Sequence, residues 1–380
     1  MLNLPIYLDN NATTPMDPRV LESMLPFFTK YFGNAASHTH SFGWEAEAAV
    51  EYAREQVALL ISAEPKEIVF TSGATESDNL ALKGIFEMFV AKGNHIITVK
   101  TEHKAVLDSC IHLEKMGAEI TYLNVKKDGL IDIKELENAI KPETILIAVI
   151  YANNETGVIQ PIKEIGVIAK KHSIIFFTDG TQAIGKIPVD VIKDNIDIMS
   201  FSAHKIYGPK GVGALYVRRK NPRVRIASQI DGGGQERGFR SGTLNVPGIV
   251  GFGKACELCM IEMQKDAERL SKLRDKLEQE LIQLKDVFIN GSTKHRLPNV
   301  SNLSFKNINS AELMAKLSKN IALSSGSACT SATLSPSFVL KAMGLSDEMA
   351  LSSLRFGLGR FNTEEEIDYT VNQLTNLIIS

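Results

Sequence analysis

The stretch Ile174-Ile175-Phe176-Phe177-Thr178-Asp179-Gly180-Thr181-Gln182 and its counterpart Ile198-Met199-Ser200-Phe201-Ser202-Ala203-His204-Lys205 follow one plan. Each is a short apolar run that stops abruptly at a polar turn. Runs of this length, rich in β-branched and aromatic residues, suit strands covered on both faces. The same kind of run recurs at 68–70, 96–99, 120–123, 145–150 and 212–217. Helical periods fill the gaps between runs. Just upstream, Ala46, Ala49, Val50, Ala53, Val57 and Leu60 return at the spacing of one helix face. Strand and helix in alternation predict an α/β fold with a mostly parallel sheet covered by helices. In such sheets ligands gather beyond the carboxyl ends of the strands, so the residues that end each run are the candidate site.

Moving outward, the alternation stops near residue 250. A long amphipathic segment follows, with Leu270, Leu273, Leu277, Leu281 and Leu284 on one stripe. It reads as the passage into a smaller α+β domain, whose last helix opens with a Thr363–Glu366 capping box. Residues 7–15 carry no helix pattern and fit either unit. The expected division is 16–258 for the large domain, with 1–15 and 259–380 forming the small one.

Composition narrows the function classes. The chain has 380 residues, 44% hydrophobic and 23% charged, as an ordinary globular enzyme does. Forty-two basic against forty-four acidic residues leave a formal charge of −2, so neither nucleic acid nor an anionic membrane is expected as a main partner. Four cysteines suit a reducing compartment rather than a disulfide scaffold. No run reaches membrane-span length and no secretory signal is visible, so the cytoplasm is the expected location.

Three post-strand turns carry chemistry: Asp179 to Gln182, Ser202 to Lys205, and Thr71-Ser72-Gly73-Ala74-Thr75-Glu76 leading into a helix. Together they supply a lysine amine, an acid, and a Gly/Ser/Thr turn at a helix N-terminus. Pyridoxal 5′-phosphate (PLP) needs that set: an amine to join its aldehyde, a carboxylate for its ring nitrogen, and helix-end N–H groups for its phosphate. Each part alone is commonplace, since a strand-end Asp is often only a cap. Their coincidence, with His103 after a fourth strand and Asn153-Asn154 after a fifth, is not. Gly180-Thr181-Gln182-Ala183-Ile184-Gly185-Lys186 imitates a P-loop but is followed by Ile187, without the hydroxyl that Mg²⁺ needs. Cys256 and Cys259 sit in a helical pattern and read as core residues rather than metal ligands. His38 and His40 read as surface or local hydrogen-bonding groups. Cys329 is different. It lies among small residues, Ser324-Ser325-Gly326-Ser327-Ala328-Cys329-Thr330-Ser331-Ala332, with no aliphatic side chain beside it to bury it, so a reactive thiol and an incidental loop cysteine are the two readings, and the PLP set favours the first.

Several of these segments resemble the cysteine desulfurases of the class V aminotransferase family. They are Tyr7-Leu8-Asp9-Asn10-Asn11-Ala12-Thr13-Thr14, Thr71 to Ser77, Thr101-Glu102-His103, Ser202 to Lys205, Arg240-Ser241-Gly242-Thr243 and the Cys329 tract. The nearest group is the one that supplies sulfur for iron–sulfur clusters (IscS/NifS). The resemblance spans almost the whole chain and implies PLP fold type I, in a homodimer with active sites at the subunit boundary. It implies Lys205 as the lysine that holds PLP and His103 stacked on the cofactor ring, moving protons. It implies Asp179 at the ring nitrogen, with Gln182 and Asn154 near the ring hydroxyl. Ala74, Thr75, Ser202 and His204 would hold the phosphate, joined by Thr243 of the second subunit. Arg355, with Asn154, would bind the carboxylate of L-cysteine. Cys329 would take the sulfur as a persulfide for an iron–sulfur scaffold or another acceptor protein, such as a tRNA-thiolating one. No metal site is implied beyond a transient iron–sulfur cluster on Cys329. The small residues of 324–337 are expected to let Cys329 travel between cofactor and surface. Gly180 stands where the family usually has Ala, and the chain ends without the tail that many members use to dock a scaffold. A selenocysteine lyase or aminotransferase of the same fold, and a non-enzymatic sulfur carrier, are the competing readings.

Overall fold

The computed structural model describes residues 2–325 and 335–379. Among them the strands are, in chain order, β1 (Ile6–Tyr7), β2 (Ile68–Thr71), β3 (His95–Val99), β4 (Glu119–Leu123), β5 (Thr144–Ala148), β6 (Ile175–Asp179), β7 (Ile198–Ser202), β8 (Gly213–Val217), β9 (Val287–Ile289), β10 (Val300–Phe305), β11 (Ile321–Ala322) and β12 (Ser353–Gly357). Every apolar run expected to be a strand of the main sheet is one. That sheet has seven strands in the order β2-β8-β7-β6-β5-β3-β4. All pairings are parallel except those of β8, which runs antiparallel to both neighbours.

Alternation along each strand builds a core on either face of the sheet. Phe70, Ile97, Ile147, Phe176, Met199, Phe201 and Tyr216 pack on one side with helices Ser41–Leu60, Ile162–Lys171 and Val246–Leu281. Val69, Ile96, Leu146, Phe177, Ile198 and Leu215 pack on the other, beneath helices Ala74–Phe89 and Lys104–Lys115. Both faces being covered explains why the runs are apolar throughout rather than alternating.

The Val246–Leu281 helix is one continuous element of 36 residues, started by Asn245, whose side chain accepts from Gly248 N, and by a proline in its first turn. Its first half, through Cys259, belongs to the main core. Leu270, Leu273, Leu277 and Leu281 belong to a separate core with β10, β12 and the last helix. The boundary expected at residue 258 therefore falls inside a helix, where no chain break or linker exists. The three-stranded antiparallel sheet β12-β10-β9 forms the second unit's framework. The N-terminal segment joins it too: β1 pairs in parallel with β11, burying Ile6 and Leu8 in that core. The Thr363–Glu366 capping box forms as read, with Glu366 N donating to Thr363 Oγ1 at 3.3 Å and Thr363 N to Glu366 Oε2 at 3.1 Å.

Candidate active site

The carboxyl ends of the parallel strands open into a cleft of about 530 Å³ that the N-terminal segment and the second unit close from above. β6 ends on Asp179 and β7 on Ser202, and a single 3₁₀ turn, Ala203–Lys205, places the lysine. Ala74 and Thr75 begin the helix behind β2, and His103 caps the helix behind β3. Asn154 follows β5, and Arg355 reaches in from β12. Ala74, Thr75, His103, Asn154, Asp179, Gln182, Ser202, His204, Lys205 and Arg355 all line this one cleft. Thr243 does not. It is exposed, in the loop before Val246, as a residue assigned to a second subunit can be. Residues 326–334, which include Cys329 and most of the tract expected to carry it, lie outside the described residues. The ends of that tract are described: Arg355 N donates to Ser324 O at 2.7 Å, and Ser337 Oγ donates to Glu155 Oε2 at 2.5 Å. Both anchors are cleft walls.

Backbone carbonyls of the N-terminal segment organise the polar groups. Lys205 Nζ donates to Asn11 O and Ala12 O, each at 2.6 Å. Gln182 Nε2 donates to the same Asn11 O at 2.9 Å, and Asn11 Nδ2 to Asn154 O at 2.9 Å. Arg355 is buried and donates to Asn154 O at 3.1 Å and to Asp9 Oδ1 at 2.6 Å. Asp179 accepts from Thr181 N at 2.9 Å.

Burial sets the protonation of the groups around Asp179. It pushes His103 below its ordinary 6.5, with Lys205 adding to the lowering and Asp179 opposing it. His103 Nδ1 accepts from Ala105 N at 3.2 Å, so the proton of the neutral ring sits on Nε2. His204 is driven down to about 4 by burial and by Lys205, Lys210 and Lys186. Asp78 and Glu102 were not singled out from the sequence. Both are fully enclosed, and burial together with the charge of Asp179 raises both carboxyls well above their ordinary range. Asp78 accepts from Ser200 Oγ at 2.5 Å, and Glu102 accepts from Ile150 N. An oxygen of Asp78, one of Asp179 and a ring nitrogen of His103 lie within 4.8 Å of one another. Holding Asp78 and Glu102 toward their neutral forms spares Asp179 two adjacent negative charges. A sequence signal for Asp78 existed: an acid amid the apolar Leu80, Ala81 and Leu82 of a helix face that meets the sheet.

The cleft fits PLP on its own evidence. The helix Ala74–Phe89 begins at Gly73 without a side-chain cap, so its first N–H groups face the cleft as an anion cradle beside Ser202 and His204. Thr181 Oγ1, which lines the same wall, is buried without a partner among the described residues. A lysine amine and a strand-end carboxylate complete the set. Fold and site together define a PLP-dependent enzyme of fold type I.

The aminotransferase class-V family model matches residues 6–370, and the chain belongs to that family. It is 59% identical over 371 residues to cysteine desulfurase IscS of Anaeromyxobacter dehalogenans (strain 2CP-C), covering 97% of this chain and 91% of that one. It is 56% identical to the cysteine desulfurase of Homo sapiens, covering 97% and 80%. A solved NifS-like protein superposes with a TM-score of 0.92 at 41% identity, over 99% of this chain and 100% of that one.

The remaining sequence readings are placed as follows. Cys256 and Cys259 are buried in the main core, and burial raises both thiols, Cys259 to about 12. His40 Nδ1 accepts from Gly43 N at 3.3 Å as a helix cap, and His38 lies 3.4 Å from Glu47.

Proposed function

We propose that the chain is a cysteine desulfurase that converts L-cysteine to L-alanine and passes the sulfur, as a persulfide on Cys329, to an acceptor protein. The observation that carries this reading is the meeting of Lys205, Asp179, His103 and Arg355 in a cleft whose walls also anchor both ends of the Cys329 tract. PLP, when bound, supplies an aldehyde that joins an amine and a ring that withdraws electrons from the substrate's Cα. Lys205 would hold it through Nζ, at the place the substrate amine also needs. Asp179 would favour a proton on the ring nitrogen. Ala74, Thr75, Ser202 and His204 would hold the phosphate, and Gln182 and Asn154 would serve the ring oxygen. Arg355, beside Asn154, takes the substrate carboxylate in a forked geometry. His103 is kept neutral by burial, and its Nε2–H is the proton it has to give.

Sulfur transfer then needs only a thiolate and a proton. The Cys329 thiolate attacks the substrate sulfur, a new S–S bond forms, and the Cβ–S bond breaks. The electrons left on the substrate take a proton, and alanine departs.

We place the chain in the cytoplasm, as a homodimer whose sites are completed by Thr243 of the second subunit. Support for association comes from exposed aromatic residues, Phe28, Phe32, Phe42, Trp44 and Tyr52, in and before the helix Ser41–Leu60, with the Phe32 and Phe42 rings 5.3 Å apart. The two-unit division at 16–258 serves this chemistry, one unit carrying the cofactor and the other Arg355 and Cys329. Iron–sulfur cluster assembly is the proposed destination of the sulfur.

The test is to incubate pure protein with L-cysteine and a reductant and to assay alanine and sulfide together. Equal amounts without any α-keto acid support the reading. Turnover that requires an α-keto acid would make the chain an aminotransferase instead.

A further inference from the structure

The lysine that ends the P-loop imitation has a role that neither nucleotide binding nor the mechanism above uses. Lys186 follows the turn behind Asp179, partly buried, and no carboxylate among the described residues pairs with its amine. Its hydrogen bond instead goes to Gln182 Oε1 at 2.5 Å. Desolvation, with the charges of Lys205 and Arg355 adding to it, pushes the amine down to about 7. A desolvated amine without a counter-ion is costly to keep charged. Among the described residues its hydrogen-bond partner is a side chain that lines the cofactor cleft.

Gln182 has two ends that could point either way, and its neighbours decide which. The Lys186 amine donates in either protonation state, and the carbonyl end of Gln182 accepts from it. The backbone carbonyl of Asn11 only accepts, so the amide end must face Asn11 O, at 2.9 Å. That same carbonyl receives Lys205 Nζ. With its oxygen held by Lys186 and one N–H held by Asn11, Gln182 has its second N–H left to offer the cleft. A donor suits the ring oxygen of PLP, and a flipped carboxamide would put a repelling oxygen there.

We propose that Lys186 is a positioning residue that acts through Gln182, locking its carboxamide so that an N–H rather than an oxygen meets the cofactor. The proposal rests on the reading of this cleft as the PLP site. Lys186→Met keeps the aliphatic stem and removes the donor. Holoenzymes of the wild type, Lys186→Met, Gln182→Ala and the double variant are compared by the rate of cofactor loss on dilution, read as decay of visible absorbance, and by the pH midpoint of that absorbance. Lys186→Met is expected to release the cofactor about three- to tenfold faster, the weight of one hydrogen bond, and to move the midpoint. In the Gln182→Ala background the same substitution is expected to add nothing. Melting of each variant after cofactor removal, if unchanged, separates alignment from misfolding. An unchanged release rate and midpoint in Lys186→Met, or an equal loss on top of Gln182→Ala, overturns the role. A wild-type chain that shows no visible absorbance with PLP would instead overturn the site itself.

Discussion

Replacing Arg355 by lysine keeps the charge and removes the fork, and the structure says how much that should cost. The guanidinium has five N–H groups. Asp9 Oδ1 takes one at 2.6 Å and Asn154 O another at 3.1 Å, which leaves three for a substrate carboxylate. An ammonium has three donors in all, so if it still serves Asp9 and Asn154 it has one left. The substrate then loses one of two charge-assisted hydrogen bonds, each worth about 1.5–3 kcal/mol. At about 1.4 kcal/mol per decade, the KM for L-cysteine in Arg355→Lys should rise roughly ten- to hundredfold. The bond is made in the ground state and kept in the transition state, so kcat should change far less. Initial rates of alanine formation across a range of cysteine concentrations measure both constants. A KM within twofold of wild type, with PLP occupancy intact, would refute the assignment of Arg355 to the carboxylate.

Lys205→Ala should lose the visible absorbance of the bound cofactor together with all turnover, whereas Cys329→Ser should keep the absorbance yet form no persulfide, as mass spectrometry of the intact chain would show. His103 is lowered below 6.5 by burial, and the neutral ring is the form the site holds, because a protonated Nδ1 could not accept from Ala105 N. Activity should therefore be present above its shifted pKa and fall only as pH drops through it. A kcat/KM profile whose acid limb lies above pH 6.5 would contradict this. Mixing Lys205→Ala with a Thr243 variant that cannot hold PLP should restore some activity, because one site of the heterodimer combines both intact residues. No recovery after demonstrated subunit exchange would count against a shared site. Glu236→Ala should destabilise the chain by about 3–5 kcal/mol in denaturant titrations. It strips Arg54 of a bidentate buried partner at 2.7 and 2.8 Å, and frees the loop toward Thr243 from its bond to Phe70 N.

Legibility in the sequence followed the range of the interaction concerned. Seven apolar runs matched seven strands within a residue or two at most ends, because burial on both faces demands uninterrupted β-branched and aromatic residues. The turns that end β6 and β7 were readable for the same reason, since a polar residue directly after such a run must lie at the sheet's edge. The direction of β8 was not readable: Gly213–Val217 is equally apolar in a parallel or an antiparallel setting. The helix Val246–Leu281 showed in sequence as a helical pattern around Cys256 and Cys259 and a leucine stripe beyond it, not as one element. Its first half changes partner, packing Phe252, Cys256 and Cys259 on the main core, and the face that is apolar shifts with the partner.

The turns that carry Lys205, Asp179 and Ala74-Thr75 could be picked out from the sequence because each lies within a few residues of a strand end or helix start, while the separate roles of Ala74, Thr75, Ser202 and His204 came from the family resemblance. What the tertiary structure alone decided is what those residues meet. Asn11 and Ala12 accept from a lysine more than 190 positions away, and Asp9 pairs with Arg355 across 346. Asp78 is driven toward neutrality by burial against the sheet and by Asp179 from another element. Such contacts leave no periodic trace, because periodicity records only which face of an element is buried. Which partners share that burial is set by how the elements pack, and with it the protonation and alignment on which the chemistry depends.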